Sequence, residues 1–256
     1  MSGIKTAVEI KIITEGGKKL AVIRDELLQN IQVGITPLEI DELAKRRMSE
    51  AGGTPSFMTV GNYAWATCIS VNEGVVHGVP DRRPFKDGDV VSLDAGLLYK
   101  GWHTDTSWTK LVSSSQSAVN SNIEKFLRVG EEALKKAIEQ ARLGNRVGHI
   151  SRAIQETVER AGYSIVKSLV GHGVGKSLHE EPQIPGFLTG EIKNTPELKT
   201  GMIIAIEVIF AQGRGAITHA NNDGWTLVTK DGSLAGLFEE TVRVSDRGPL
   251  VLTRLS

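Results

Sequence analysis

Asp94 and Asp105 stand eleven residues apart in what reads as a β-hairpin, and three further groups able to hold a hard cation follow far along the chain. They are His172, within Gly171-His172-Gly173-Val174-Gly175, then Glu207 and Glu239. Glu207 lies in Met202-Ile203-Ile204-Ala205-Ile206-Glu207-Val208-Ile209-Phe210, the apolar run of a buried strand, with no Lys or Arg within six residues on either side. A buried carboxylate needs a partner. A distant arginine or a retained proton would serve, but a metal ion accounts for it more economically. Asp94, among Val91, Leu93, Ala95 and Leu97, and Glu239, in Leu237-Phe238-Glu239-Glu240-Thr241-Val242, follow the same logic. Glu240 alternates to the other face of its strand and is expected in solvent.

In the hairpin, Val90 to Asp94 reads as a strand, Tyr99-Lys100-Gly101 as the turn and Trp102 to Val112 as the return. An odd separation across a two-residue loop puts both aspartates on one face. Carboxylates that close are costly unless one keeps a proton or a cation lies between them. A solvated acidic pair is the bland alternative, and the apolar flanks of Asp94 argue against it. Four carboxylates and one imidazole suit Mn, Fe(II), Co or Zn, and argue against copper or an iron–sulfur cluster. Two such ions around a bridging water would lower its pKa and stabilise a tetrahedral oxyanion, the chemistry of metal-assisted hydrolysis.

His77, in Val75-Val76-His77-Gly78-Val79-Pro80, and His179, in His179-Glu180-Glu181-Pro182, are candidates for proton transfer or oxyanion stabilisation. His103, His149 and His219 fall in sequence that reads as turn or helix start, and are expected exposed or structural. A serine or cysteine nucleophile is not indicated: no G-x-S-x-G occurs, and Cys68 has no base near it in sequence. The glycines around His172 do not form a phosphate loop, since no helix-opening G-x-G-x-x-G or Walker pair is present.

Helices and strands must bring these groups together. Residues 5–30 read as a helix on an approximate apolar stripe, with Gly16-Gly17 marking a bend. Thr36-Pro37-Leu38-Glu39 opens a second helix with a capping box and ends it at Gly52-Gly53. The unit recurs: Gly34 to Gly52 aligns without gaps on Gly144 to Gly162, each copy preceded by another helical stretch (18–31 and 124–142). A second echo sets Gly88-Asp89-Val90-Val91-Ser92-Leu93-Asp94 against Gly201-Met202-Ile203-Ile204-Ala205-Ile206-Glu207, an acid six residues after each glycine. Two αα-β halves, about 1–112 and 118–256, are therefore expected around a pseudo-twofold axis, each giving an acid to a shared centre. Ser113 to Ser117 would link them.

Bulk properties narrow the class. At 256 residues one α/β domain is ordinary. Lysine plus arginine equals aspartate plus glutamate at 30 each, which provides no basic field for nucleic acid or a membrane surface. One cysteine excludes an internal disulfide, and the start Met1-Ser2-Gly3-Ile4-Lys5 has no signal pattern, so a cytoplasmic protein is expected.

The order Asp94, Asp105, His172, Glu207, Glu239, with His77 upstream and His179 seven residues after His172, resembles the methionine aminopeptidases. The likeness runs from about Thr36 to Arg254. It rests on Cys68-Ile69-Ser70-Val71-Asn72-Glu73, His77-Gly78-Val79-Pro80, Asp105-Thr106-Ser107, the glycine run at His172, His179-Glu180-Glu181-Pro182 and Asp223-Gly224-Trp225-Thr226. With Glu239 only 32 positions after Glu207 and no zinc-binding extension, the chain resembles the short type I form. The resemblance implies a pita-bread fold: α/β, with two αα-β halves around a curved, mainly antiparallel sheet. It implies two divalent ions (Co, Mn, Fe(II) or Zn), one chelated by Asp94, the other by His172 and Glu207, with Asp105 and Glu239 bridging. Glu207 would also accept the proton of the attacking water, His77 would contact the scissile nitrogen and His179 the carbonyl oxygen. Tyr63, Cys68, Leu178 and Trp225 match positions lining a methionine pocket. Expected substrates are N-terminal methionyl peptides and nascent polypeptides with a small second residue, cleaved by a monomer that works in reach of the ribosome.

Four places depart from the family pattern: Val208 for a usual proline, Glu240 for a frequent histidine, Leu178 for a common phenylalanine, and Ser56 to Thr67 throughout. None removes a ligand. The rival readings are a prolidase or aminopeptidase P-like peptidase, which usually carries an extra N-terminal domain, and a non-catalytic pita-bread binding module, which typically loses ligands.

Overall fold

Residues 3–114 and 121–255 are described by the structure, a computed structural model. The first half contributes helices α1 (Ala7–Asn30) and α2 (Pro37–Glu50) and strands β1 (Thr54–Pro55), β2 (Thr67–Val71), β3 (Gly74–Val76), β4 (Val90–Tyr99) and β5 (Trp102–Leu111). The second contributes α3 (Ser121–Glu139), α4 (Val147–Arg160), β6 (Ser164–Ile165), β7 (Val170–Gly173), β8 (Glu180–Pro185) and β9 (Ile203–Ala211). It closes with β10 (Ile217–His219), β11 (Leu227–Thr229), β12 (Ala235–Arg243) and β13 (Leu250–Val251). Part of the expected serine-rich link lies outside the described residues. No helix among them is long and apolar enough to cross a membrane.

Thr36 caps α2 as its sequence requires: its hydroxyl accepts from Glu39 N–H while the Glu39 carboxylate accepts from Thr36 N–H at 2.8 Å. Thr6 and Glu9 repeat the device on α1. That helix runs unbroken through Gly16-Gly17. Gly17 serves close approach, since a Cβ there would lie 2.5 Å from the Leu252 carbonyl oxygen. The β4–β5 loop is the two-residue Lys100-Gly101, both left-handed at φ 49° and 78°, with Tyr99 facing Trp102.

One ten-stranded sheet runs in the order β1-β4-β5-β12-β9-β7-β8, with β2 pairing to β4, β6 to β9 and β13 to β12, and its pairings are antiparallel. The four α-helices among the described residues cover one face. Leu20, Ile23 and Leu27 of α1 with Ile40, Ala44 and Met48 of α2 pack on Val91, Leu93, Ala95 and Leu97 of β4. Phe126 and Leu134 of α3 with Ile150 and Ile154 of α4 pack on Ile204, Ile206, Val208 and Phe210 of β9. Alternation then sends Asp94 and Glu207 to the uncovered face. A fully buried aliphatic side chain stabilises by about 1.5–3 kcal/mol, and the four helix-side residues flanking each acid hold it there despite its desolvation.

The internal repeat is built as the alignment predicts. Gly34 and Gly144 have φ of 90° and 88°, Gly52 and Gly162 have 78° and 87°, and Gly88 and Gly201 have 91° and 89°. Equivalent backbone bonds join them: Phe85 N–H donates to Ile35 O at 2.8 Å, and Leu198 N–H to Asn145 O at 2.9 Å.

Candidate metal centre

A single register row crosses five strands. Cys68 faces Asp94, Asp94 faces Ser107, Ser107 faces Glu239 and Glu239 faces Glu207. Asp105 lies two residues from Ser107 along β5, and His172 pairs with Ala205, two residues from Glu207, so both point to the same face. The hairpin aspartates are thus diagonal neighbours rather than directly opposed. One oxygen or nitrogen each from Asp105, His172 and Glu239 lies within 4.8 Å of the others, and His172 Nε2 is 3.5 Å from Glu207 Oε1.

These groups form one wall of a cavity of about 310 Å³, whose lining includes all eleven side chains singled out from sequence. Besides the acids and His172, these are His77, His179, Tyr63, Cys68, Leu178 and Trp225. Tyr63 stacks edge-on against Trp225 at 5.2 Å and Phe57 at 6.5 Å, closing an apolar lobe with Cys68 and Leu178. His77, at φ 56°, turns its ring to 6.4 Å from Trp225, and the rings of His172 and His179 lie 4.5 Å apart.

Several lining residues went unread in the sequence. Ile209 and Leu237 are cross-strand partners two positions from Glu207 and Glu239; strand alternation alone would have found them. Phe57 and Val60 come from a short 3₁₀ turn with no periodic signal. Asp41 on α2 anchors the apolar lobe, its Oδ1 accepting from Ala66 N–H, Thr67 N–H and the Thr67 hydroxyl at 2.8–2.9 Å.

Burial raises the Asp94 carboxyl to about 8. It also pushes Asp105, Glu207 and Glu239 well above the carboxylate range, reinforced by their mutual charges. Burial drives His172 down to about 4 and lowers His77 and His179, with His179 adding to the shift of the other two. His172 Nδ1 lies 2.8 Å from Gly173 O, a carbonyl that only accepts. That bond fixes the proton on Nδ1 and leaves Nε2 a lone pair aimed at the acids. Asp94 Oδ1 and Glu239 Oε1 are buried without a hydrogen-bond partner among the described residues. Orphaned carboxylate oxygens beside a neutral imidazole fit a divalent cation: the donor set is hard, anionic and mutually repulsive without one.

Two expectations are corrected. Glu240 is fully buried rather than solvated, because α1 lies over its face of the sheet. His103 sits within β5, 5% exposed and 2.9 Å from the Ser56 hydroxyl, a structural histidine rather than one in a turn. Of the departures, Val208 faces the helix-side core opposite Phe238, whereas Leu178 lines the cavity.

A ten-stranded antiparallel sheet backed by two helix pairs, with an acid-lined cavity on its open face, is the architecture of a metallopeptidase. The chain belongs to metallopeptidase family M24, whose family model matches residues 11–246. Its relatives include Methionine aminopeptidase 1 of Bacillus subtilis, 40% identical over 252 residues and covering 98% of both chains. Among solved structures it matches the methionine aminopeptidase of Thermotoga maritima at a TM-score of 0.94 and 38% identity, over 100% of each chain. The prolidase of Pyrococcus horikoshii shares the pita-bread fold at a TM-score of 0.78 and 23% identity, but this chain covers only 64% of it.

Proposed function

We propose that this chain is a single-domain, two-metal aminopeptidase that removes the N-terminal methionine from peptides and nascent polypeptides whose second residue is small. The observation that carries the reading is the convergence of four carboxylates and a neutral imidazole on one cavity wall beside an apolar lobe. Asp94, Asp105, His172, Glu207 and Glu239 would hold the ions. Bound there, two divalent cations supply an acidified water and an electrophile for the scissile carbonyl.

The chain's own residues supply the rest. Glu207 accepts the proton of the attacking water and passes it toward the leaving amine. His179, neutral at physiological pH, donates to the carbonyl oxygen as negative charge develops. His77, which also lines the cavity, contacts the scissile nitrogen. Tyr63, Cys68, Leu178 and Trp225 enclose an unbranched thioether, with aromatic edges and faces suited to sulfur.

The deciding assay reloads metal-stripped protein with Mn, Co, Fe(II) or Zn and offers Met-Gly-Met-Met beside Gly-Pro-Ala. Metal-dependent release of methionine alone is expected. Cleavage before proline moves the chain to the prolidase side, and silence on both peptides with metal bound favours a binding module.

A further inference from the structure

The two halves meet along β5 and β12, and the backbone ladder there is short: Ser107 pairs with Glu239 and Thr106 with Glu240. Threonine hydroxyls take over on both sides of it. Asp105 N–H donates to Thr241 Oγ1 at 2.9 Å while that hydroxyl donates to Asp105 O at 2.7 Å. Thr109 and Leu237 exchange the same pair of bonds at 2.7 and 2.9 Å. Asp105 and Glu239 therefore stand on opposite sides of a seam closed largely by side chains.

Arg24 of α1 straddles this seam from the helix-covered face. Its Nη1 donates to Thr106 Oγ1 at 2.9 Å on one strand and to Glu240 Oε1 at 3.3 Å on the other. The Thr106 hydroxyl in turn donates to the main-chain oxygen of Glu239 at 3.0 Å. Arg254 donates to the same Glu240 oxygen at 3.0–3.1 Å, and Thr253 donates its hydroxyl to the other. The guanidinium also lies 5.6 Å from the Trp108 ring, which abuts Phe238. Arg24 is 6% exposed and Glu240 fully buried.

A buried ion pair is a poor source of stability, because desolvating both charges offsets most of their attraction. What a rigid, forked guanidinium provides instead is direction. Here Nε and Nη2 donate to Asp25 of the same helix at 2.9–3.1 Å, which aims Nη1 at two strands whose opposite faces carry Asp105 and Glu239. We propose that Arg24 and Glu240 are positioning residues for the metal centre: their contacts across the back of the seam hold Asp105 and Glu239 at the spacing that sets affinity for divalent metal. This rests on the reading of those two acids as metal ligands.

The test is cobalt titration of the metal-stripped, full-length protein, by calorimetry and by visible absorption of the Co(II)-loaded form. Arg24→Met and Glu240→Gln are expected to bind cobalt about 10- to 100-fold more weakly and to shift its absorption bands. Arg24→Lys should recover part of the loss. Thr106→Val, nearly isosteric, removes both the link to Glu239 and the acceptor for Arg24 Nη1, and should weaken binding in the same direction. Arg47→Met, which removes a surface pair with Glu26, should leave affinity and spectrum unchanged. Variants that melt earlier yet bind cobalt with native affinity and spectrum overturn the proposal. Should Arg24→Met not fold, an unaltered Thr106→Val titration overturns it equally. No cobalt uptake by the unaltered protein overturns the metal-centre reading itself, and the positioning role with it.

Discussion

Glu207 and Glu239 face each other directly across β9 and β12, and Glu239 Oε1 is buried there with no hydrogen-bond partner among the described residues. Two acids so placed cannot both ionise without cost, so in the absence of a cation they must retain protons or repel. A cation reverses the sign of that interaction. Glu239→Gln should therefore stabilise the metal-free protein at pH 8, by about 1–3 kcal/mol. With excess metal the unaltered protein should gain about 2.7 kcal/mol at a concentration 100-fold above Kd, and the variant much less. Thermal melts in EDTA and in Mn²⁺ should thus rank the two proteins in opposite orders. The same order in both buffers would count against a metal between these acids.

The pH dependence of the metal-free protein follows from the same crowding. Asp94 is held near 8, and Asp105, Glu207 and Glu239 well above the carboxylate range, so the folded state keeps protons that the unfolded chain releases near pH 4. This contribution is lost as pH rises. The lowered histidines act oppositely, but their contribution is complete above about pH 6.5. Between pH 6.5 and 8 the melting temperature in EDTA should fall, and Asp94→Asn should flatten the slope. Saturating metal should abolish the decline, since its ligands bind deprotonated. A rising melting temperature over this window in EDTA would contradict the account.

Loading and turnover should separate by residue. Asp105→Ala or Glu239→Ala is expected to abolish activity and metal uptake together. His179→Ala should keep the metals and lose about 10²- to 10³-fold in kcat, the size expected for one oxyanion donor. Metal analysis beside peptide hydrolysis checks both, and normal metal content in the aspartate or glutamate variants would remove them from the ligand set.

Gly17→Ala pits helix propensity against packing. Alanine favours a helix interior over glycine by about 1 kcal/mol. The added Cβ would meet the Leu252 oxygen at 2.5 Å and its carbonyl carbon at 2.9 Å, backbone atoms that cannot swing aside. Overpacking of this kind costs about 1–3 kcal/mol, so net destabilisation is expected. Urea unfolding measures it; a more stable variant would mean that α1 can move freely against the end of the sheet.

The contrast between Glu207 and Glu240 shows what was legible in the sequence. Glu207 announces itself locally, because an apolar run leaves its carboxylate no solvent. Strand alternation likewise fixes that Asp94 and Asp105 share a face, and glycine spacing reveals the repeat. Glu240 was misread because its burial depends on Arg24, 216 residues away on a helix that covers that face. The packing role of Gly17 is hidden for the same reason, its neighbour being Leu252. Local patterning gives a strand its faces, but which face a distant helix covers is a tertiary fact.

Trp225 closes the apolar lobe from a loop rather than a strand, and its position is held by Asp223, whose Oδ1 accepts from the Trp225 and Thr226 N–H groups at 2.8 Å. Its ring touches the edges of both Tyr63 and His77. If the lobe binds the methionine side chain equally in ground and transition states, Trp225→Ala removes uniform binding, raising KM with little change in kcat. Loss of about 1.4 kcal/mol of contact corresponds to tenfold in KM. Tyr63→Phe keeps the ring and loses the hydroxyl's 2.8 Å bond to Thr67 O, so it should cost stability of about 1 kcal/mol and leave KM nearly unchanged. Steady-state kinetics on a methionyl tripeptide separates these effects. A fall in kcat at constant KM in Trp225→Ala would show instead that the indole acts through His77, holding that ring at the scissile bond.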